Sequence, residues 1–448
     1  MDSQKHIINK VFLEVNTNSS KEAFALKDNL SVFLKHQLFP KIESYFDTQN
    51  KILSGSSIRF NKIEININQA GIVNLNALKN DIVNQLKKKI DFEIQNTANH
   101  TEDQNELVVL SKTKSTLDSF IYFLRTGAKP WWQSNISDLF DEKGIETIIS
   151  EPGFSSKFIK VLAFEKAKQR LLNQFGDDIL WRLLATSNSK KTVSKRKVFS
   201  VLKKNSTLRD TFWIAVIDGC RLNTSSRIKT MLHQFAATKT IDSNERQALE
   251  NFATSIINKP LNDKKNIELP PEKEVLTNEN PTEEALYINN AGLVLLHPFL
   301  KQFFMNAKLA DATGKIIESE VETAIHLLHY LSTKQEQQLE SELVLEKFLC
   351  GYPINKSMQR FIELPQELKH MGEEVLQAAI THWDALKSTS PDGLRTGFLQ
   401  REGKLIIENN TCKLIVERKG QDILLDKIPW NIHLIKLPWL DNLIVVEW

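Results

Sequence analysis

The sequence predicts an α+β fold, mainly helical, opened by an N-terminal β-α-β-α unit and closed by a C-terminal antiparallel β-meander. Three observations carry this. Ile63, Ile65 and Ile67 alternate with Lys62, Glu64 and Asn66, the period-two pattern of a strand with one wet face. From Leu117 to about 258, and again from 284 to about 387, apolar residues recur at three- and four-residue intervals, the period of helices with one buried stripe. After Trp383 the spacing changes to short apolar or β-branched runs, Leu405-Ile406-Ile407, Cys412 to Glu417, Asp422 to Leu425 and Leu443 to Trp448. Glu408-Asn409-Asn410, Arg418 to Gln421 and two Pro-Trp corners separate them.

Taken in order, residues 6–16 read as a strand through Ile8, Val11, Leu13 and Val15. Ser19 or Ser20 then offers an N-cap to a helix with its stripe at Ala23, Leu26, Leu30, Phe33, Leu34, Leu38 and Ile42, in which Pro40 marks a break or kink. A strand over 58–67 and a helix through Leu75, Leu78, Ile82, Leu86 and Ile90 complete the first unit, residues 1–95. Residues 95–116 are polar, with 96–105 as a first linker. The helix from Leu117 to Leu124 stops at Thr126-Gly127, where Gly127 suits a left-handed cap, and Pro130-Trp131-Trp132 opens the next helix. Short helices then fill a central array, residues 117–258. Residues 259–283 carry Pro260, Pro270, Pro271 and Pro281 among charges and read as a linker. Order resumes as a helix from Glu283, with further helices at 318–332, 340–350, 357–363 and 371–387. The final segment, 284–448, is therefore a helical region closed by the meander.

Composition narrows the function. At 448 residues the chain exceeds one compact core. A formal net charge of +3, from 58 basic and 55 acidic residues, gives no global reason to expect nucleic acid as a partner. No run approaches the roughly 18 apolar residues of a membrane span, so no direct membrane insertion is expected. Cys220, Cys350 and Cys412 stand far apart, without metal-ligand spacing, and the N-terminus lacks a signal-peptide core; reduced cytoplasmic thiols are the simplest reading.

Candidate chemistry is sparse. His326 and His329 lie one helical turn apart, with His297, Cys350 and Glu322 available as a third ligand, but Ile325, Leu327, Leu328 and Leu331 surround them, which favours core histidines over a metal site. Glu373-Glu374 and Asp177-Asp178 are adjacent in sequence, and adjacent residues on a helix diverge, so they make poor acid/base pairs. No nucleophile-elbow, zinc-protease, phosphate-loop or dinucleotide pattern occurs; no cofactor and no small-molecule substrate are expected. Lys190, Lys191, Lys195, Arg196, Lys197, Lys203 and Lys204 form a basic stretch without an acid; with Phe199 its one aromatic, too few for a stacking platform, a solvated face is favoured over a contact with an anionic wall or nucleic acid. Trp131, Trp132, Trp430, Trp439 and Trp448 occupy turns or strand ends. As interface anchors they would dock partners; as corner residues they close small cores at rigid bends, the reading their positions favour. Asp392-Gly393 with Arg395 reads as a turn whose Arg bonds backbone carbonyls.

Several motifs carry a resemblance. Ser390-Pro391-Asp392-Gly393-Leu394-Arg395, Phe398-Leu399-Gln400-Arg401-Glu402-Gly403, Leu424 to Trp430 and Leu437-Pro438-Trp439 resemble, in order, the tail of the contractile injection system tape measure protein family. Leu124-Arg125-Thr126-Gly127-Ala128-Lys129-Pro130-Trp131-Trp132, Asn290 to Leu300 with Gly292, His297 and Pro298, and Leu343 to Gly351 are similar to its upstream blocks, so that the resemblance spans nearly the whole chain. Lys129 departs from it, standing where a hydrophobic residue is expected. The resemblance implies a structural protein without turnover. Such a protein sets inner-tube and sheath length, contacts inner tube, baseplate hub and cap proteins, and is cytoplasmic during assembly, then inside the injection particle. The alternative is an assembly adaptor or chaperone that docks hub, tube or cargo through the tryptophan corners.

Overall fold

The structure is a computed structural model describing residues 8, 11, 12, 14, 24, 29, 30, 32–49, 56–60, 62–67, 75–96, 107–133, 136–185, 195–257, 285–408 and 411–448. The chain divides into two compact units, Met1–Thr116 and Leu117–Trp448.

The first unit holds helix α1 (Phe39–Gln49), strand β1 (Ser56–Phe60), helix α2 (Leu75–Asn96) and strand β2 (Leu107–Ser111). Phe33, Leu38, Ile42 and Tyr45 bury against Val83, Leu86 and Ile90, the stripes their spacing predicts. Pro40 does not break the helix. A π-helical turn, Leu34–Leu38, precedes α1, and the Phe39 N–H reaches back to the Leu34 carbonyl, so the wider turn absorbs a proline that has no N–H to give. The expected strand over 6–16 falls largely outside the described residues; Ile8, Val11, Phe12 and Glu14 are exposed and not in a strand. The strand over 58–67 is shorter than predicted: pairing ends at Phe60. Residues 62–67 keep the alternation, with Ile63, Ile65 and Ile67 half-buried between exposed neighbours, because one apolar face packs whether or not the backbone is paired. The partner of β1 is β2, in antiparallel register from Ser56 opposite Ser111 to Phe60 opposite Leu107. Its β-branched run, Leu107-Val108-Val109-Leu110, lies within the stretch read as polar.

Helix α3 (Lys112–Thr126), which belongs to the second unit from Leu117 on, leads to α4 (Glu142–Ser150), α5 (Phe154–Val161), α6 (Glu165–Gln174), α7 (Asp177–Ala185), α8 (Lys195–Lys203), α9 (Ser206–Leu222), α10 (Ser226–Ala237) and α11 (Ser243–Ile257). Phe120, Phe123, Phe140, Phe158 and Phe175 interlock at the centre of this array, and Phe212, Trp213 and Phe252 fill the far end. Pro130-Trp131-Trp132 forms a turn closed by Gln133 N–H to the Pro130 carbonyl and does not open a helix; the next helical turn begins at Ser137.

The expected linker, 259–283, lies outside the described residues. The chain resumes as strand β3 (Leu286–Ile288), not as a helix, its Leu-Tyr-Ile alternation pairing with β4 (Gly403–Glu408). A 3₁₀ turn (Ala291–Leu296), α12 (His297–Asn306), α13 (Val321–Thr333), α14 (Val344–Leu349) and α15 (Gln366–His382) follow. Residues 357–363 form no helix, because carbonyls among them serve as acceptors for other elements. A short helix α16 (Pro391–Leu394) and a π turn (Arg395–Leu399) reach β4, β5 (Thr411–Val416), β6 (Leu434–Ile435) and β7 (Leu443–Glu447). The closing sheet is mixed and is not an antiparallel meander. Its order is β3-β4-β5-β7-β6, and β7 lies parallel to β5, with Leu414 opposite Val446. Asp422 to Leu425 is not a strand either: it lies in a 3₁₀ helix, Gly420–Lys427, where the Asp422 carboxylate accepts the Lys419 N–H at 2.7 Å. Among the described residues no helix is long and apolar enough to cross a membrane.

Candidate functional site

The motif residues of the second unit converge on one another. Gly292 is buried in its 3₁₀ turn so close to the next motif that a Cβ there would stand 1.8 Å from the Phe398 carbonyl oxygen. The adjacent Ala291 N–H donates to the Arg401 carbonyl at 2.9 Å. Two stretches about a hundred residues apart thus meet backbone to backbone, which only a glycine permits. Trp430 joins the same junction, its indole N–H donating to the Leu295 carbonyl at 3.0 Å and its ring standing on edge to Phe299. His297 Nε2 bonds the Asn431 carbonyl at 2.8 Å, and burial holds its ring below the ordinary histidine pKa; Pro298 beside it is exposed at the first turn of α12.

Trp439 ties the Leu437-Pro438-Trp439 corner to the 343–351 motif by donating to the Leu349 carbonyl at 2.7 Å. Gly351 turns there with φ +71°. At the chain's end the Trp448 indole donates to Asp422 at 3.0 Å, and Asp422 also accepts from Arg401, which is fully buried. Pro391, Asp392 and Gly393 form the first turn of α16, capped by Ser390. Arg395 donates from Nε to the Leu331 carbonyl, as read from sequence, and also grips Glu373 and Asp392. Trp131 and Trp132 stand apart from this junction, edge to face with each other, Trp132 donating to Ser119 and packing on Tyr122. Every one of these indoles except that of Trp131 donates to an atom of its own unit, the geometry of corner anchors. Their half-exposed outer faces are the part open to other molecules.

Gly127, at φ +78°, caps α3 as predicted, and Arg125 sits half-buried in that helix's last turn. The glycine has a second duty. A Cβ there would lie 2.4 Å from Glu340 Oε1 and 2.9 Å from Arg170. Beneath it Arg170 (0% exposed) pairs with Glu340 (0%) at 3.0 Å, and Glu340 takes Lys347 at 2.7 Å. The Leu124 carbonyl of α3 accepts from Arg170 at 2.6 Å, and the loop 353–360 supplies further acceptors: Ile354 and Lys356 carbonyls to Lys347, the Asn355 carbonyl to Arg170, and the Met358 carbonyl to Gln174. Burial lowers the Lys347 ammonium below its usual range despite Glu340. Because this polar seam joins α3 and α6 to α14, it links the helical array to the C-terminal block. Sequence reasoning missed it. Its signal is Glu346-Lys347, two charges inside the apolar run Val344-Leu345 and Phe348-Leu349. Lys129, the departure noted above, is buried and donates to Asn289 at 2.7 Å.

The histidine pair is buried in α13. His326 bonds the Gln359 carbonyl at 2.8 Å and His329 bonds Glu346 at 2.7 Å. Of the three candidate third ligands, Glu322 is engaged by Tyr352 and Gln359 and His297 by Asn431, while Cys350 is a buried free thiol. Among the described residues no group of three or more His, Cys, Asp or Glu side chains could hold a metal ion. Of the basic stretch, Lys195 lies over the Trp181 ring and Lys204 pairs with Glu245; Lys190 and Lys191 lie outside the described residues.

Compared with known proteins, the chain matches over residues 5–448 the model of a family described as contractile injection system tape measure protein. No curated protein and no solved structure matches it.

Proposed function

The chain belongs to the contractile injection system tape measure protein family, and from that premise we propose that it sets the length of the inner tube and sheath during particle assembly. The observation that carries this is the family match over residues 5–448. In this reading the protein works without turnover or cofactor. It contacts inner tube, baseplate hub and cap, and it assembles in the cytoplasm before residing in the particle. The half-exposed faces of Trp131, Trp430 and Trp439, with exposed Pro298 between them in sequence, are the positions at which such contacts would form.

The test is particle length by electron microscopy after in-frame deletion of residues 190–265 from the native gene cluster. A helical ruler shortens every tube by a discrete step of up to about 110 Å, at ~1.5 Å per residue. Because α8 to α11 belong to a buried core, a Trp213→Ala variant of full length controls for lost stability, and it should leave tube length unchanged. Unchanged length with fewer particles in the deletion would overturn the ruler.

One observation favours a second reading. The unit 117–448 is compact, with buried ion pairs and a five-stranded sheet, as suits an assembly adaptor or chaperone that docks hub, tube or cargo while folded. Stoichiometry separates the two: copies retained in finished particles support the ruler, and presence only in assembly intermediates supports the adaptor.

A further inference from the structure

We propose that His326 is an acid-sensitive latch on the loop 353–360, so that protonating its ring loosens the loop and with it the seam between the helical array and the C-terminal block. Gln359 is held from three sides. His326 bonds its carbonyl, Glu322 accepts its backbone N–H at 3.1 Å, and Asn173 of α6 accepts its side-chain amide at 2.9 Å. The neighbouring loop residues carry the seam itself, since Ile354, Asn355, Lys356 and Met358 supply carbonyls to Lys347, Arg170 and Gln174, while Ser357 accepts from Asn173. A disturbance at Gln359 therefore reaches the loop carbonyls that help hold the two buried cations, while the Leu124 carbonyl and the Glu340 carboxylate stay in place.

The chemistry of the ring sets the direction. To donate to a carbonyl, Nε2 must carry the proton, which leaves Nδ1 as the site for a second one. His326 is 3% exposed, so that second proton creates a cation inside the core, one helical turn from His329. The groups facing it are His329 on its own helix, Glu346 on α14, which already receives His329 and Asn290, and Glu322, which is engaged by Tyr352 and Gln359. Beyond the loop lie Arg170, Glu340 and Lys347 in the seam, and the thiol of Cys350, which burial and Glu346 keep protonated. Burial, the largest influence, and His329 oppose the cation; the bond to the Gln359 carbonyl and Glu346 favour it, and burial prevails, holding the ring below the ordinary histidine pKa.

A group with a depressed pKa in the closed state binds a proton more readily when the loop opens. Closure is therefore complete above about pH 6.5, and the open fraction rises by up to tenfold per pH unit as pH falls from there toward the closed-state value.

The experiment is hydrogen exchange of the loop amides in the full chain at pH 7.5 and 5.5, corrected for the intrinsic exchange rate, for the native protein and His326→Gln. Glutamine retains an N–H donor and does not titrate. The native loop should lose protection on acidification while the variant stays flat. A native loop with unchanged protection, or a variant that keeps the native slope, overturns the latch. Should the variant fail to fold, titration of the histidine ring signals in the native protein by NMR decides: a His326 value below the free-histidine value of about 6.5 supports the latch, and one at or above it overturns it.

Discussion

Replacing Glu340 with glutamine removes the carboxylate that faces two buried cations. Arg170 sits 3.0 Å from Glu340 Oε2 and 3.2 Å from Oε1, and Lys347 sits 2.7 Å from Oε1; all three side chains are at most 1% exposed. The amide of the Glu340→Gln variant offers one oxygen to one cation and turns an NH₂ group toward the other, so a donor meets a donor. Breaking one buried pair by removing a single partner costs about 3–5 kcal/mol, because the surviving charge is left without compensation. That is a large share of the roughly 5–15 kcal/mol by which a domain is stable. With an m-value of about 3 kcal/mol/M, the urea midpoint of the second unit should fall by about 1–1.7 M, read by tryptophan fluorescence in the full chain. Lys347→Met should cost less, about 1–3 kcal/mol, because the Arg170–Glu340 pair survives and only uncharged acceptors and one carboxylate oxygen lose a donor. Combined, the two changes should cost at least about 0.5 kcal/mol less than their sum, since they share one network. A Glu340→Gln midpoint within about 0.3 M of the native value, at equal m, would refute the claim that the seam belongs to the cooperative core.

Other consequences follow from the same geometry. Gly127→Ala forces a left-handed backbone onto a side chain and drives its Cβ into Glu340; a loss of about 2–4 kcal/mol by urea titration is expected. Gly292→Ala, set against the Phe398 carbonyl, should leave the C-terminal block unable to close, seen as proteolysis within 285–448 under conditions in which the native chain resists. Trp439→Phe keeps the ring and orphans the Leu349 carbonyl, so about 1–2 kcal/mol should be lost with little change in near-ultraviolet dichroism beyond one indole. His297, held neutral by burial, should add to acid lability: stability is full above about pH 6.5 and declines as pH falls toward the folded-state value, a slope that His297→Gln reduces.

The helices of the second unit were legible because each must bury one stripe, and burial at Phe120, Leu124, Ile325 and Leu328 follows the three-four spacing of the sequence. Strand β5 was legible because its alternation is written in Cys412, Leu414 and Val416. What escaped was decided by partners distant in sequence. The β4–β5 hairpin is local, but β7 slots between β5 and β6 after the 3₁₀ helix crosses over, and no period in Leu443 to Glu447 distinguishes a parallel neighbour from an antiparallel one. Asp422 to Leu425 resembles a strand until Arg401 and the Trp448 indole claim the Asp422 carboxylate. Residues 357–363 have a helix-compatible composition, yet the Met358 and Gln359 carbonyls belong to Gln174 and His326. As for the candidate residues, the corner character of Trp430 and Trp439 was readable from the Pro-Trp bends, whereas Arg170 and Glu340 gave no local sign of pairing.

The seam also bears on how such a chain could measure a tube. A compact unit of about 330 residues has a radius of gyration near 20 Å, while the same chain as one helix would extend to roughly 500 Å. A ruler function for residues 117–448 thus requires the folded unit to be given up, and the described interactions bear on how that happens. An apolar interface loses contacts gradually as it slides. A seam of Arg170, Glu340 and Lys347 closed by loop carbonyls fails together once Glu340 is displaced, because each cation then lacks its anion. Opening should accordingly be abrupt and located at the joint between α6 and α14. If particles carrying Glu340→Gln keep native length while their yield changes, the folded unit acts before or beside the measuring step; if their length distribution broadens, opening of this joint is part of the measurement.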